Sequence, residues 1–265
     1  MSVPDAFREA IQNSPVPQFK YFASITSTNL AALDWLEKDA ADGSIIFADH
    51  QSSGRGRFER KWITEPGSAL AVSIIIRPTR HEMGALPLFS PLAGIAVADV
   101  LEHSYQIAAQ IKWPNDVLIQ RMKTCGILTE TVWNGENLQG LVVGIGVNIL
   151  PQSIPPVEAL QYPATCLQNH CSQAIDRYEV LAALLSAFTH WRSKIQSAEF
   201  MNQWQKTLAF RGEKVYIKQK DGNVQTSGVL LGLTCDGNLE ILTENNQKQT
   251  ITVGDVHLRP AEPEK

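Results

Sequence analysis

A short basic segment from Gln51 to Trp62, here called the basic loop, holds the residues best suited to chemistry. It carries four cationic side chains and a single acidic one, and it contains Gly54 and Gly56. Guanidinium groups bind carboxylate or phosphate through paired hydrogen bonds, and glycine lets backbone N–H groups approach such an anion closely. The segment predicts an anion site, although a solvated loop or an arginine-glycine segment that touches RNA would show the same pattern.

A second polar group follows an apolar run that Pro114 must end, since proline cannot continue a strand. Its members are a cation, an aromatic ring that offers a stacking surface, an amide and a carboxylate: Lys112, Trp113, Asn115 and Asp116. A turn predicted to carry Arg121, Lys123 and Gly126 then joins two short strands. This turn would return Lys123 toward Lys112.

Three consecutive hydroxyl and amide residues, Ser27, Thr28 and Asn29, precede an amphipathic run that predicts a helix ending near Gly43. Such residues commonly cap a helix. They also supply donors and acceptors for the polar head of a small ligand. Both interpretations stay open at this point.

Two glycines, Gly144 and Gly146, interrupt the apolar run that ends at Asn148. Glycine inside a strand indicates that a ligand or another part of the chain comes close. Asn148 would then lie where it can hydrogen-bond a ligand, although asparagine is equally typical of a turn.

The elements that must position these residues are short apolar runs and amphipathic runs. Strands are predicted at Phe19–Phe22, Ser44–Ala48, Ala69–Ile76, Ile107–Trp113, Val117–Gln120, Ile127–Trp133 and Leu141–Ile149. Besides the helix after Asn29, helices are predicted at Pro87–Tyr105, from Asp176 to about Ile195, and at Glu199–Leu208. This pattern favours an α+β fold, with a mixed or antiparallel sheet and flanking helices.

From about Gly212 the pattern changes to short β-runs separated by turn sequences such as Asp221-Gly222 and Asp236-Gly237. Two-residue turns of this kind are typical of hairpins, so a small β-barrel is predicted. The sequence thus divides into an N-terminal arm (1–18, a short helix or loose segment), a main domain (19–209) and a C-terminal β domain (210–265).

Composition narrows the function. A net charge of −4 and a pI near 5.9 argue against general nucleic-acid binding. The apolar runs are interrupted within roughly ten residues, so no membrane span is expected, and the N-terminus does not resemble a signal peptide. A cytoplasmic location is therefore expected. The four cysteines are scattered, which predicts neither a disulfide framework nor a structural metal.

Together these segments resemble the biotin-protein ligases, in the short form without an N-terminal DNA-binding domain. Six segments carry the resemblance, in this order: Ser27-Thr28-Asn29; Gln51 to Trp62; Lys112-Trp-Pro-Asn-Asp116; Lys123-x-x-Gly126-Ile-Leu; Gly144-Ile-Gly-x-Asn148; and Gly-Asp255-x-x-x-Arg259-Pro. The resemblance implies a class II synthetase-like catalytic domain in 19–209 and an SH3-like C-terminal barrel.

The resemblance also implies a reaction. Biotin and ATP form biotinyl-5'-AMP, and a lysine of the biotin carboxyl carrier protein of acetyl-CoA carboxylase then takes the biotinyl group. ATP with Mg²⁺, biotin and the carrier are the implied substrates, with no DNA and no membrane as partners. Relatives of this kind occur as monomers or dimers, so a homodimer is left open.

By this resemblance the site residues fall into three overlapping sets. The biotin-binding set is Ser27, Thr28, Asn29, Gln51, Arg55, Gly56, Arg57 and Lys123. The nucleotide-binding set is Arg55, Arg57, Trp62, Asn115, Asp116, Gly126 and Asn148. The catalytic set is Lys123, Arg57, Lys112 and Asp116, with Mg²⁺ expected near Asp116.

The sequence departs from the family pattern at two places. Phe58-Glu59 stands where many relatives have a small pair such as Arg-Gly, and Cys125 stands where alanine or glycine is common. A thiol at that place is expected to be a small buried group. Two other functions stay open: lipoate or octanoate attachment, which shares the fold, and a non-catalytic vitamin-binding or RNA-binding module.

Overall fold

The structure is a computed structural model, and it describes residues 3–160, 162–218, 224–252 and 257–260. Its α-helices are α1 (Asp5–Gln12), α2 (Thr28–Leu36), α3 (Phe89–Tyr105), α4 (Arg177–Arg192) and α5 (Ala198–Thr207). Its strands are β1 (Phe19–Phe22), β2 (Ile45–Ala48), β3 (Gly54–Arg55), β4 (Lys61–Trp62), β5 (Ala69–Ile76), β6 (Ala109–Lys112), β7 (Asp116–Ile119), β8 (Met122–Asn134), β9 (Asn137–Asn148), β10 (Lys214–Lys218), β11 (Val224–Leu233), β12 (Leu239–Leu242), β13 (Lys248–Ile251) and β14 (His257–Pro260).

Seven strands form the main sheet, in the order β1-β2-β5-β9-β8-β7-β6. β1 and β2 are parallel, and the remaining neighbours pair antiparallel. The central strand β5 is buried along its whole length, because an apolar run such as Ala69–Ile76 is stable only with both faces covered. The predicted mixed sheet with flanking helices is thereby confirmed.

Helix α3 is buried on nearly every face, as its apolar composition predicts. It begins at Phe89 because the preceding residues, Glu82–Leu88, form a 3-10 turn that contains Pro87. By length and composition alone, the segment Glu82–Tyr105 could span a membrane. The expectation that no apolar run approaches membrane-spanning length is therefore wrong. Since 72% of its apolar window is buried inside the fold, we describe it as a core helix.

The first segment, expected as a short helix or loose arm, forms helix α1 and packs on the main core. Phe7 is fully buried, and its ring lies 5.1 Å from that of Phe47 in β2. Helix α2 is shorter than predicted. It ends at Leu36 instead of near Gly43, and turns connect Leu36 to Gly43. By contrast, α4 begins as predicted, with the Asp176 carboxylate accepting a hydrogen bond from the backbone N–H of Tyr178.

The turn before β8 is shorter than the sequence suggests. Gln120 and Arg121 make the turn, both with positive φ, and β8 already begins at Met122. Lys123 and Gly126, predicted in the turn, therefore lie in a strand. A strand position fixes the Lys123 backbone from both sides, since β7 pairs with it on one edge and Ala164 on the other.

A second sheet of five antiparallel strands follows, in the order β13-β12-β11-β10-β14. The hairpin predicted at Asp236-Gly237 joins β11 to β12, and Gly237 has the positive φ that such a turn requires. The predicted turn at Asp221-Gly222 and the Gly-Asp255 part of the C-terminal motif lie outside the described residues.

An ion-pair network ties the end of α4 to the turn before β2 and to the 3-10 turn before α3. Arg192 donates from Nε to Glu82 at 2.7 Å and from an η nitrogen to Asp42 at 2.8 Å. Burial by itself would raise the pKa of Glu82, but hydrogen bonds from Arg192 and from the backbone N–H of Thr79 bring that pKa below its ordinary value. A carboxylate with a lowered pKa stabilises the fold above its unfolded pKa, and this stability is lost as the pH falls through the folded pKa.

Replacing Arg192 with methionine is expected to lower the free energy of unfolding at pH 7 by about 3 kcal/mol, since it leaves the charge of Glu82 buried without its partner. Urea unfolding would measure this. The difference between wild type and variant should shrink as the pH falls through the lowered folded-state pKa of Glu82, where the carboxylate becomes protonated. The exposed Arg80→Met is the control, and an equal loss for both variants would contradict the prediction.

Candidate functional site

A cavity of about 290 Å³ lies where β8 and β9 meet the start of α2, the basic loop and the turn after β6. All the site residues proposed from the sequence line it: Ser27, Thr28, Asn29, Gln51, Arg55, Gly56, Arg57, Trp62, Lys112, Asn115, Asp116, Lys123, Gly126 and Asn148. The structure thus brings together residues that are far apart in the chain, with Arg57 and Lys123 on the same cavity. The ligand that each would bind stays a prediction.

A buried polar group forms one end of the cavity. Gln51 Oε1 accepts hydrogen bonds from the backbone N–H of Thr28 at 2.8 Å and from the Thr28 hydroxyl at 3.0 Å. The hydroxyl of Ser73 in β5 lies 2.8 Å from Thr28 Oγ1 and 2.6 Å from Asn29 Oδ1. These contacts give the end of the cavity a fixed set of acceptors and donors.

The start of α2 answers the question of capping. Ser27 occupies the N-cap position, but its side chain makes no capping hydrogen bond within the described part of the chain. Thr28 and Asn29 lie in the first turn and point their side chains at Gln51 and at β8. The three residues therefore line the cavity rather than cap the helix through their side chains.

Glycines in β8 and β9 make room for this arrangement. An ideal Cβ at Gly144 would collide with Oδ1 of Asn29, and one at Gly146 would lie 2.6 Å from the Trp62 ring. Gly126 pairs with Gly146 across the two strands and faces the same ring. The close approach expected from these glycines is confirmed, and the approaching groups are side chains of the cavity itself.

Two ammonium groups flank one carboxylate at the other end. Nζ of Lys123 lies 2.6 Å from one oxygen of Asp116, and Nζ of Lys112 lies 3.5 Å from the other. Lys112 is only 6% exposed, and its ammonium group lies 4.4 Å from the centre of the Tyr162 ring. Two cations against one anion leave this end with a net positive charge when all three groups are ionised.

The basic loop is a short hairpin in which β3 pairs with β4. Gly54 is required there, because an ideal Cβ would collide with the carbonyl oxygen of Trp62. At the tip Phe58 adopts φ 57°, unusual for a bulky residue, and the guanidinium of Arg57 lies 4.8 Å from its ring. Arg57 also donates a long hydrogen bond of 3.4 Å to Asn115, so the tip reaches the turn after β6.

Trp113 lines the cavity but is almost fully buried, so little of its ring is open for the stacking expected from the sequence. Its side chain is 1% exposed, and its indole N–H donates to the carbonyl of Gly237 at 3.1 Å. The ring therefore connects the turn after β6 with the C-terminal sheet. Cys125 is fully buried, as expected, and burial raises the pKa of its thiol.

Sequence reasoning missed two polar residues that contact the site. Ser73 is the single polar residue in the buried strand β5, and a lone serine in such an apolar run is a usable signal. Glu130 in β8 contacts both Asn29 and Arg55. Nothing in its local sequence indicates this, because the contacts come from elements about 75 and 101 residues away.

Comparisons with known proteins agree with this geometry. Residues 21–148 match the model of the biotin/lipoate A/B protein ligase family. The biotin–[acetyl-CoA-carboxylase] ligase of Paracoccus denitrificans is 32% identical over 240 residues, covering 88% of this chain and 98% of that protein. The bifunctional ligase/repressor BirA of Bacillus spizizenii is 35% identical over 164 residues, covering 62% of this chain.

The match to the BirA protein of Bacillus spizizenii covers 50% of the length of that protein. Among solved structures, the biotin protein ligase of Aquifex aeolicus in complex with biotin and ATP has a TM-score of 0.79 and 29% identity, covering 92% of this chain and 100% of that one. The fold, the order of the site segments and these similarities together show that the chain belongs to the biotin/lipoate A/B protein ligase family.

Proposed function

We propose that this protein attaches biotin to a lysine of a biotin carboxyl carrier domain, using ATP and forming biotinyl-5'-AMP. The observation that carries the proposal is that one cavity has a polar group at one end and paired lysines at the other. The first suits an uncharged polar head, and the second suits anions. Relatives named biotin ligases, and a similar structure that holds biotin and ATP, support the same assignment.

The polar end fits the ureido ring of biotin, which offers one carbonyl acceptor and two N–H donors. Asn29 Oδ1 and Gln51 Oε1 are acceptors whose orientation is fixed by their own hydrogen bonds. The indole N–H of Trp62 is buried and has no hydrogen-bond partner among the described residues. It is available to a ligand that enters beside the basic loop.

The lysine end fits the reacting groups. An oxygen of the biotin carboxylate attacks the α-phosphorus of ATP, and pyrophosphate leaves with the electrons of the broken P–O bond. A lysine amine then attacks the acyl carbon, and AMP leaves. The first step brings two anions together, so Lys123 and Lys112 would lower the repulsion by lying beside both.

Asp116 is the residue that would hold Mg²⁺ arriving with ATP. No cluster of three metal-binding side chains occurs among the described residues. One carboxylate beside an incoming triphosphate is nevertheless the usual arrangement for Mg²⁺, which takes its other ligands from phosphate and water. The ion would neutralise phosphate oxygens, and the Asp116 carboxylate, which contacts Lys123 in the structure, would be its ligand from the protein.

Other parts of the assignment come from the resemblance. We infer that the carrier belongs to acetyl-CoA carboxylase, that the protein acts in the cytoplasm, and that the main domain is class II synthetase-like. The five antiparallel strands of the C-terminal sheet, with a register shift between Leu230 and Gly232 in β11, support an SH3-like barrel. A homodimer through an edge strand of the main sheet would be tested by sedimentation.

The direct test is exchange of pyrophosphate into ATP that depends on biotin, followed by transfer of labelled biotin to a carrier domain. We expect both activities with biotin and neither with lipoate or octanoate. Exchange that depends on lipoate would favour the related acyl transfer, and absence of exchange with every acid would favour a non-catalytic binding module.

Gly144→Ala is expected to weaken biotin binding about 30-fold, since the new methyl group displaces Asn29 and breaks its buried hydrogen bonds. Isothermal titration with biotin and separately with ATP would measure the effect, which should be confined to biotin. Gly84→Ala is the matched control, because a Cβ there makes only an ordinary 3.6 Å contact. Unchanged biotin affinity in Gly144→Ala would show that Asn29 does not contact the vitamin.

A further inference from the structure

One carboxylate at the edge of the site has no part in the function proposed above. Glu130 in β8 places Oε1 2.9 Å from an η nitrogen of Arg55, and its Oε2 accepts a hydrogen bond of 2.9 Å from Nδ2 of Asn29. Its side chain is 21% exposed, against 40% for Arg55. A single side chain thus contacts both the polar end of the cavity and the basic loop.

Glu130 fixes the orientation of the Asn29 amide. One proton of Nδ2 goes to Glu130 and the other to the carbonyl of Leu128 at 3.2 Å, while Oδ1 lies against the Ser73 hydroxyl. Reversing the amide would place its oxygen against a carboxylate and a carbonyl, which both only accept. The acceptor that Asn29 offers to a ligand therefore depends on Glu130.

Glu130 also fixes the base of the basic loop. Two guanidinium nitrogens of Arg55 reach its carboxylate, at 2.9 Å and 3.3 Å, and paired contacts of this kind hold a definite geometry. Arg55 belongs to β3, whose partner β4 carries Trp62. Through this hairpin the carboxylate positions the wall of the cavity as well as its polar end.

We propose that Glu130 is a positioning residue that couples the order of the basic loop to biotin affinity. That the ligand is biotin rests on the proposed function. That Glu130 acts on the loop rests on its ion pair with Arg55. Biotin held by Asn29 stabilises the loop through Glu130, and an ordered loop raises the affinity for biotin by the same factor, since such coupling is reciprocal.

Trypsin cleavage of the ligand-free protein tests the ion pair independently of any activity. In Glu130→Gln, cleavage after Arg55, Arg57 or Arg60 should become about fivefold faster, because a partly exposed ion pair contributes up to roughly 1 kcal/mol. Raising the salt from about 0.05 to about 0.5 M should speed wild-type cleavage toward that of the variant. The control is Glu136→Gln. Glu136 is exposed in the turn between β8 and β9, so this substitution removes the same charge and should leave the cleavage rate unchanged.

The kinetic measurement separates positioning from general damage. Glu130→Gln should raise the KM for biotin about fivefold, which is the same factor as the expected increase in the cleavage rate. The kcat should stay unchanged within about twofold. Arg55→Gln removes the same ion pair, so Glu130→Gln added to it should not speed cleavage at Arg57 and Arg60 further. Arg55→Gln alone serves as the test if Glu130→Gln does not fold.

Wild-type cleavage in Glu130→Gln, equal acceleration in Glu136→Gln, or faster cleavage with an unchanged KM for biotin would each overturn the inference. Failure of the proposed function looks different. A wild-type protein without biotin-dependent exchange would refute the ligase activity and with it the biotin coupling, while the cleavage rates would still decide whether Glu130 holds the loop.

Discussion

Lys123→Ala is expected to slow formation of biotinyl-5'-AMP by on the order of 1000-fold, the range seen when a preorganised charge-stabilising group is removed. In the structure the Lys123 ammonium group is the cation closest to Asp116, at 2.6 Å, and Lys112 lies farther away at 3.5 Å. Its loss leaves one cation against one carboxylate, so no excess positive charge from this cluster faces the two reacting anions. Rapid-quench measurement of pyrophosphate release would give the rate.

The control for Lys123→Ala is Lys206→Ala on the exposed side of α5. Thermal unfolding should show that both variants fold, because the Lys123 side chain is 28% exposed and not part of the apolar core. Pyrophosphate release at a nearly normal rate in Lys123→Ala would refute the role given to this residue.

Arg57→Gly is expected to form biotinyl-5'-AMP and then lose it, with dissociation about 100-fold faster than in the wild type, as for loss of one or two charge-assisted hydrogen bonds. Arg57 reaches from the tip of the basic loop to Asn115, and its guanidinium packs on Phe58. A closed loop would keep water from the reactive acyl phosphate. Without this side chain the tip has fewer contacts with the turn after β6.

Two measurements check this loss. Filter binding gives the dissociation rate of labelled biotinyl-5'-AMP, and labelling of lysines on an unrelated protein reports the adenylate that escapes. Arg80→Gly removes an exposed arginine elsewhere and should change neither measurement. A variant that keeps the adenylate as long as the wild type would contradict the prediction.

The sequence predicts local structure well where one interaction decides it. The buried strand β5 and helix α3 follow from apolar runs, and the start of α4 follows from Asp176 as its cap. The glycines at 144 and 146 likewise predict close approach, because few other reasons place glycine inside a buried strand. Which side chains would fill that space, Asn29 and Trp62, is a matter of tertiary packing.

Prediction from the sequence fails where the surroundings of a residue are set by partners that are distant in the chain. Lys123 reads as a turn residue next to Arg121, yet pairing with β7 and the contact with Ala164 extend the strand through it. Trp113 is beside polar residues in sequence, but the carbonyl of Gly237, 124 positions away, takes its indole N–H. Periodicity and turn propensity contain no information about such partners.

The hydrogen bond from Trp113 to Gly237 has a consequence for protein engineering. Gly237 has φ 78°, and an ideal Cβ there would meet the Trp204 ring at 2.5 Å, so the hairpin tip fits this one position without spare room. If the C-terminal sheet is exchanged between homologous proteins, Trp113 and the Gly237 turn come from different parents, and their contact next to Asn115 in the chain would be mismatched. In a chimera, Trp113 and the turn that contains Gly237 should therefore be taken from the same parent protein.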